Sequence, residues 1–313
     1  MNFKVKNIIA VHSCKGGVGK STVAACLAIT FSSKGKQVGI CDLDICGPSL
    51  AELFSLDRDS VKWTNVESTE TNHRDRCCKT VNLSYSDDCC DDNSSENAES
   101  MCLEPKKFKG IKIMSSEFLR PKNYSGYSAY RGPIIDQVCY EMVYRTNWED
   151  LDYLILDLPP GTSDVIISLV ENIHISGSIL VTTPHVLSNN DLVKGIKLFN
   201  DLEIPILSIV ENMAYFTCDS CGNAKNIFGP SNVKSICDEY KIDHFIRLPF
   251  VVFDKNEAMC NGSSDEDGYA SNIGIVYRYH NSADVQESLE NLFNYIDSKL
   301  KYNVERAIKT KPK

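Results

Sequence analysis

The ten residues SCKGGVGKST, Ser13 to Thr22, constrain this chain more than any others. They follow a strand-like apolar run, Ile8 to His12, and a helical pattern from Thr22 to Ser33 follows them. Strand, loop and helix in that order are the setting in which a Walker A match carries weight. Gly16, Gly17 and Gly19 let the backbone curl, so that its N–H groups converge on phosphate oxygens at the positive end of a helix. Lys20 is then placed to neutralise the β and γ phosphates and Ser21 to ligate Mg²⁺. Cys14, Lys15, Gly16, Gly17, Val18, Gly19, Lys20, Ser21 and Thr22 are the expected nucleotide-binding residues. Cys14 stands where the pattern has its first glycine. Its Cβ is tolerated only if the backbone there avoids a glycine-only conformation, and a small tolerated side chain fits better than a reactive thiol.

Other apolar runs recur along the chain: Val38 to Cys41, Ile111 to Met114, Tyr153 to Leu156, Ile179 to Val181 and Ile206 to Val210. Each leads into a loop or a helical pattern, which describes an α/β protein with a mainly parallel, doubly wound sheet. In the first helix Val23, Leu27 and Phe31 form one stripe and Gly35 is the expected stop. Val285, Leu289, Leu292, Phe293, Ile296 and Leu300 recur at helical spacing in the last, as a docking face. With 313 residues, 42% of them apolar, the chain is expected to form one P-loop ATPase domain with inserts. A polar insert of about 64–107 reads as disordered, because it holds too little apolar surface to offset the entropy of ordering. Its Cys77, Cys78, Cys89, Cys90 and Cys102 lack the two-residue gap of a thiolate knuckle, so metal binding is the weaker reading. A smaller insert runs from Asn261 to Gly274.

Two further segments belong to the phosphate end. CDLDICGPSL places Asp42 and Asp44 after the second strand, and LDYLILDLPPGTSD ends a hydrophobic strand in Asp157. Ligands of open α/β sheets bind at the C-terminal ends of strands. Asp157 is positioned there to hold a metal-bound water, and Gly161 to let a backbone N–H approach the γ-phosphate.

A net charge of -9 argues against general attraction to nucleic acid or an anionic membrane. No apolar run reaches the roughly 18 residues of a membrane span. Met1 stands so close to the first strand that little room is left for a leader. The fourteen cysteines beside a nucleotide loop therefore read as reduced thiols, with the cytosol as the expected compartment and mitochondrion or plastid as alternatives.

Cys218 and Cys221, in FTCDSCGN, form the sole C-x-x-C of the chain. Such a turn points two thiolates at one metal, whereas zinc or an iron–sulfur cluster takes about four protein ligands. Half a site per subunit predicts a symmetric dimer in which two pairs converge. A zinc half-site, a redox dithiol and structural cysteines are the rival readings.

The loop K-G-G-x-G-K-[ST] resembles the deviant Walker A proteins, the SIMIBI-class P-loop NTPases, in which the extra lysine, here Lys15, reaches a partner's nucleotide like an arginine finger. That resemblance also implies that Asp44 orients the attacking water and Asp42 supports Mg²⁺ or Ser21, so that Lys15, Lys20 and Asp44 are catalytic, with Ser21, Asp42 and Asp157 at the magnesium. DLDICGPSL, RGPIIDQV, DYLILDLPPGTSD, ILVTTPHVLSNNDLVKGIKLF, IVENMAYFTCDSCG and IFGPSN together look like the Mrp/ApbC family of ATP-dependent iron–sulfur cluster carriers. Cys14 and WEDLDYLILDLPPGT look most like its plant high-chlorophyll-fluorescence branch. The likeness implies a [4Fe-4S] cluster held by Cys218 and Cys221, an adenine contact by Asn212, slow ATP hydrolysis, and a homodimer or a heterodimer with a paralogue. Its expected partners are apo iron–sulfur proteins, with neither nucleic acid nor membrane. The N-terminal four-cysteine motif of the family's eukaryotic cytosolic members and the small flanking domains of the plant branch are not found in these residues. Two other functions share the loop. A ParA- or MinD-like positioning ATPase of the membrane-bound kind needs a basic amphipathic terminal helix, and KYNVERAIKTKPK is poor in large apolar residues. A dethiobiotin-synthetase-like ligase accounts for ATP but not for FTCDSCG.

Overall fold

The computed structural model describes residues 5–65, 101–119, 132–161, 164–218, 220–252 and 275–309. In chain order the elements are β1 (Val5–His12), α1 (Lys20–Ser33), β2 (Val38–Asp42), α2 (Leu50–Leu53), β3 (Trp63–Asn65), β4 (Met101–Leu103), β5 (Lys106–Phe108) and β6 (Ile111–Ser115). A 3-10 turn (Ser116–Leu119) precedes α3 (Gly132–Tyr144), β7 (Leu151–Asp157), α4 (Asp164–Asn172), β8 (Gly177–Thr182) and α5 (Val186–Asp201). The chain continues through β9 (Ile206–Thr217), β10 (Ala224–Lys225), α6 (Val233–Tyr240), β11 (Phe245–Pro249), α7 (Ile275–His280) and α8 (Ala283–Lys309).

Nine strands form the main sheet in the order β10-β9-β8-β1-β7-β2-β6-β5, with β11 also on β9. All pairings are parallel except β10 with β9 and β5 with β6. The parallel strands are near-continuous apolar runs because helices cover them, as in IIAV of β1 and YLIL of β7, all buried. Parallel pairing also puts the ends of β1, β2, β7, β8 and β9 at one edge. The loops that follow those strands make the site.

Helix α1 departs from the single-stripe expectation. Every residue from Val23 to Phe31 is buried, because the helix lies between the sheet and the C-terminal helices. Phe31 stacks edge-on with Phe293 of α8 at 4.9 Å and with Tyr153 of β7 at 4.8 Å. The Thr30 hydroxyl lies 3.0 Å from His280 Nε2 of α7. Gly35, with φ 77°, ends the helix as expected. The six apolar residues named for α8 are all buried.

The ends of the long insert are ordered, contrary to the disorder expected across 64–107. β4 pairs antiparallel with β3, Leu103 exchanges backbone hydrogen bonds with Arg145 and Asn147, and Cys102 and Leu103 are buried. Apolar residues at Met101 to Leu103 supply the burial that the polar stretch lacks. Cys102 is therefore a core residue beside Thr64, with its Sγ 3.4 Å from that hydroxyl, rather than a ligand candidate. Cys77, Cys78, Cys89, Cys90 and the 261–274 insert lie outside the described residues.

Candidate nucleotide and thiolate site

The phosphate loop is tied down from several sides. The Ser13 hydroxyl donates to the Lys15 carbonyl at 3.0 Å, and Gly17 and Gly19 hold φ of 78° and 83°. A side chain at either glycine would strain the turn. The non-glycine residues of positive φ all lie outside the loop among the described residues, so Cys14 keeps an ordinary backbone. Its thiol rests on α5, where a Cβ added at Gly195 would come within 2.8 Å of Sγ. Burial, with Asp191 beside it, pushes that thiol up to about 11. Cys14 is protonated near neutrality and acts as packing rather than as a nucleophile.

Lys20 is 6% exposed. Its Nζ lies 2.5 Å from Asp157 Oδ1 and 3.3 Å from the Ser21 hydroxyl. The pairing follows from register, since Val11 of β1 lies opposite Asp157 of β7. Asp157 in turn lies opposite Asp42 of β2. Two wholly buried carboxyls side by side resist ionising together. Burial, then the charge of Asp157, pushes the Asp42 carboxyl up to about 8. Burial likewise raises Asp157, with Lys20 opposing it.

The two aspartates are used differently. Asp42 Oδ1 accepts from the Asp44 N–H at 3.1 Å, and Oδ2 from Ser49 and Leu50 at 2.9 and 3.3 Å. Asp42 thus holds the loop after β2 and caps α2. Asp157 Oδ2, by contrast, is buried with no hydrogen-bond partner. A cation beside Ser21 fits that orphaned oxygen. Asp44 is half-buried, and its Oδ1 accepts the Gly47 N–H at 3.1 Å. The Gly161 N–H, expected near a γ-phosphate, donates instead to the Ser13 carbonyl at 2.9 Å, where it closes the start of the loop. Lys15 is exposed, and no carboxylate among the described residues pairs with it.

Asn212 is 4% exposed and faces the loop. Its Nδ2 donates to the Val18 carbonyl at 2.9 Å, and its Oδ1 accepts the Tyr279 hydroxyl at 2.9 Å. One amide hydrogen is left for the adenine contact that resemblance assigned to it. Sequence reasoning passed over Tyr279, which stands 67 residues from Asn212 in the chain and carries no local signal. It also passed over Arg247, which donates to Glu211 at 2.7 Å and to Asn226 Oδ1 at 3.1 Å.

Cys218 and Cys221 stand on the turn between β9 and β10. The first half of β9 lies in the sheet between β8 and β11. Its far end pairs with β10 through Phe216 and Thr217. Within the turn the Gly222 N–H donates to the Cys218 carbonyl at 2.8 Å and the Cys218 N–H to Asn223 at 3.1 Å. Gly222, with φ 68°, makes the reversal possible. Cys218 is half-buried and Cys221 exposed. Among the described residues no group of three His, Cys, Asp or Glu side chains is placed to hold a metal ion. Beside the hairpin the apolar side chains of Val186, Leu187, Ile227 and Phe228 are exposed, with the Phe228 ring 6.3 Å from His185.

A glycine-turned loop at the end of β1, a buried lysine under it and carboxyls on the two neighbouring strand ends make this a P-loop nucleoside triphosphatase. The family model of ParA-type NUBPL iron-transfer P-loop NTPases matches residues 4–267, and the chain belongs to that family. An iron–sulfur cluster carrier protein of Pseudomonas fragi is 35% identical over 81% of this chain and 76% of its own length. A rice chloroplastic Fe-S cluster assembly factor is 34% identical over 79% of this chain, but the match spans only 39% of that protein. The nucleotide-binding protein of Archaeoglobus fulgidus, solved with ADP, superposes with TM-score 0.62 at 31% identity, covering 90% of this chain and 91% of that one. No helix among the described residues is long and apolar enough to cross a membrane.

Proposed function

We propose that this chain is an ATP-dependent iron–sulfur cluster carrier. Two copies, or one copy and a paralogue, hold a [4Fe-4S] cluster between their Cys218 and Cys221 thiolates and pass it to apo iron–sulfur proteins. The observation that carries this reading is the thiol pair on an exposed turn with no third ligand beside it among the described residues. A cluster that takes about four thiolates is then completed by a second subunit. The exposed apolar residues around the hairpin give that subunit a surface to cover. The names of the relatives in Pseudomonas and rice point the same way.

In the hydrolytic half of the cycle the loop N–H groups and Lys20 hold the ATP phosphates. Mg²⁺, when bound by Ser21 and Asp157, offsets charge on the β and γ oxygens, with Asp42 fixing the loop behind them. Asp44, oriented by the Gly47 N–H, directs the attacking water. Lys15, exposed and without a carboxylate partner among the described residues, is available to the nucleotide of the facing subunit. Hydrolysis is slow and changes how tightly the facing hairpins approach. The compartment is the cytosol, with plastid or mitochondrion as alternatives.

Anaerobic reconstitution followed by iron, sulfide and zinc analysis, together with mass in solution, tests the reading. The expected result is iron and sulfide in equal amounts in a species of twice the mass of the chain. A metal-loaded monomer, or zinc alone, overturns it.

A further inference from the structure

Strand β9 is gripped on consecutive residues by two different parts of the molecule. Successive side chains of a strand point to opposite faces. Glu211, fully buried, takes the Arg247 guanidinium at 2.7 Å and the Ser231 hydroxyl at 2.6 Å, while Arg247 reaches on to Asn226 just past β10. This anchors the return leg of the thiol hairpin. Asn212, the next residue, grips the nucleotide loop through Val18. A Cβ added at Gly19 would lie 2.3 Å from Asn212 Nδ2, so loop and amide touch without a gap. At Met213, φ turns to 55°, and the strand runs on past a register shift against β11, pairing Tyr215 with Pro249, before it enters the hairpin.

Tyr279 is what holds Asn212 in that pose. Its hydroxyl, buried at the foot of α7, donates to Asn212 Oδ1 at 2.9 Å and reaches the Pro249 carbonyl at the end of β11 at 3.1 Å. With its Oδ1 so held, the amide is fixed with its nitrogen toward Val18. Phe250, next to Pro249, donates its N–H to the Tyr215 carbonyl in the emerging half of β9 at 2.6 Å. The tyrosine therefore touches both the loop clamp and the segment that braces the hairpin.

We propose that Tyr279 is a positioning residue that couples the two sites: by fixing Asn212 against the phosphate loop, it makes occupancy of that loop felt at the base of the thiol hairpin. The inference rests on the cluster-carrier reading only for what the hairpin carries. A nucleotide shifts the hairpin only to the extent that it binds one arrangement of the clamp better than another.

The test uses the full chain and two variants that each remove one buried hydroxyl. Tyr279→Phe cuts the clamp. Tyr153→Phe removes a hydroxyl bound to Asp297 at 2.7 Å, at the end of the sheet away from the loop. ATP affinity is read by equilibrium titration, and hydrogen exchange of residues 213–224 is compared with and without saturating Mg-ATP. Tyr279→Phe is expected to weaken ATP binding on the order of tenfold, the factor that about 1.4 kcal/mol corresponds to. At ATP levels that saturate both proteins its hairpin amides no longer respond, while those of the parent protein do. Tyr153→Phe is expected to change neither. Asn212→Asp, which removes the donor to Val18 and keeps the acceptor for Tyr279, is expected to silence the hairpin by cutting the other bond. The proposal fails if Tyr279→Phe binds ATP as tightly as the parent, if the hairpin of the parent ignores ATP, or if Tyr153→Phe behaves like Tyr279→Phe. Iron retention, measured on the same preparations, judges the carrier reading separately.

Discussion

The phosphate loop and the thiol hairpin sit at the same edge of one sheet, yet they are built in opposite ways. The loop is enclosed: Lys20, Asp42, Asp157 and Asn212 are all buried, and α5, β7 and β9 press on it from separate directions. The hairpin lies at the margin of the sheet on a two-residue return strand, with Cys221 exposed. A site that must grip a strongly charged ligand repeatedly gains from groups fixed in advance. A site that must give its cargo away gains from holding it with few ligands of its own. The contrast predicts that removing the groups that hold one ligand leaves the other ligand bound, even though occupancy of the loop is felt at the hairpin.

The largest expected effect is at the open end. Cys218→Ala and Cys221→Ala each abolish retention of iron and sulfide after anaerobic reconstitution, while ATP affinity stays within about twofold, because Lys20 and Asn212 are left in place. Loss of ATP binding in either variant breaks the contrast. At the closed end, Lys20→Ala is expected to lower ATP hydrolysis on the order of 10² to 10³-fold, the usual cost of one charge-stabilising donor. Its iron content should match that of the parent protein, and a large drop would show that the cluster depends on a competent loop.

A smaller effect probes how tightly the loop is packed. Gly195→Ala drives a Cβ to within 2.8 Å of Cys14 Sγ, which should cost about 1–3 kcal/mol in denaturant unfolding. Adding Cys14→Ala removes the obstructing sulfur and should recover most of that loss, so the two changes are far from additive. Additive behaviour would mean that the loop has room to yield.

The smallest effect lies in the scaffold beneath both sites. Burial alone would raise the Asp297 carboxyl, but hydrogen bonds from Lys301, Tyr153 and Lys36 overcome it and hold it at about 2, below its usual 3.8. A depressed carboxyl contributes stability that is present above pH 4 and is lost as pH falls toward 2. For this half-buried group the contribution is on the order of 1 kcal/mol. Asp297→Asn should flatten that part of the unfolding free energy against pH. An unchanged slope would remove Asp297 from the account of acid stability.

The parts legible from sequence were those whose signal is local. Walker spacing, apolar runs and terminal aspartates each occupy a few consecutive residues, and β1, β2, β6, β7 and β8 lie where the runs placed them. β9 was found but proved longer than its run, because the apolar run breaks at Glu211 and Asn212 while the strand goes on to pair with β11 at Tyr215 and with β10 at Phe216 and Thr217. β11 went unseen because Arg247 interrupts a five-residue strand, and the charge that interrupts it is the one that Glu211 needs. Gly161 was assigned to a phosphate on its position after Asp157. Only the fold shows that its N–H serves Ser13. The Tyr279 clamp was out of reach altogether, since nothing near residue 279 says that residue 212 is its neighbour.

The burial of α1 has a consequence for synthesis. One flank of this helix is roofed by segments translated at least 250 residues later: the Cys26 thiol meets the Val276 carbonyl at 3.8 Å, Phe31 meets Phe293, and Lys34, just past the helix, meets Glu290 at 2.8 Å. While the ribosome is still making the middle of the chain, that oily flank has no native cover. The flank therefore stays open to non-native contacts until α8 has emerged from the ribosome.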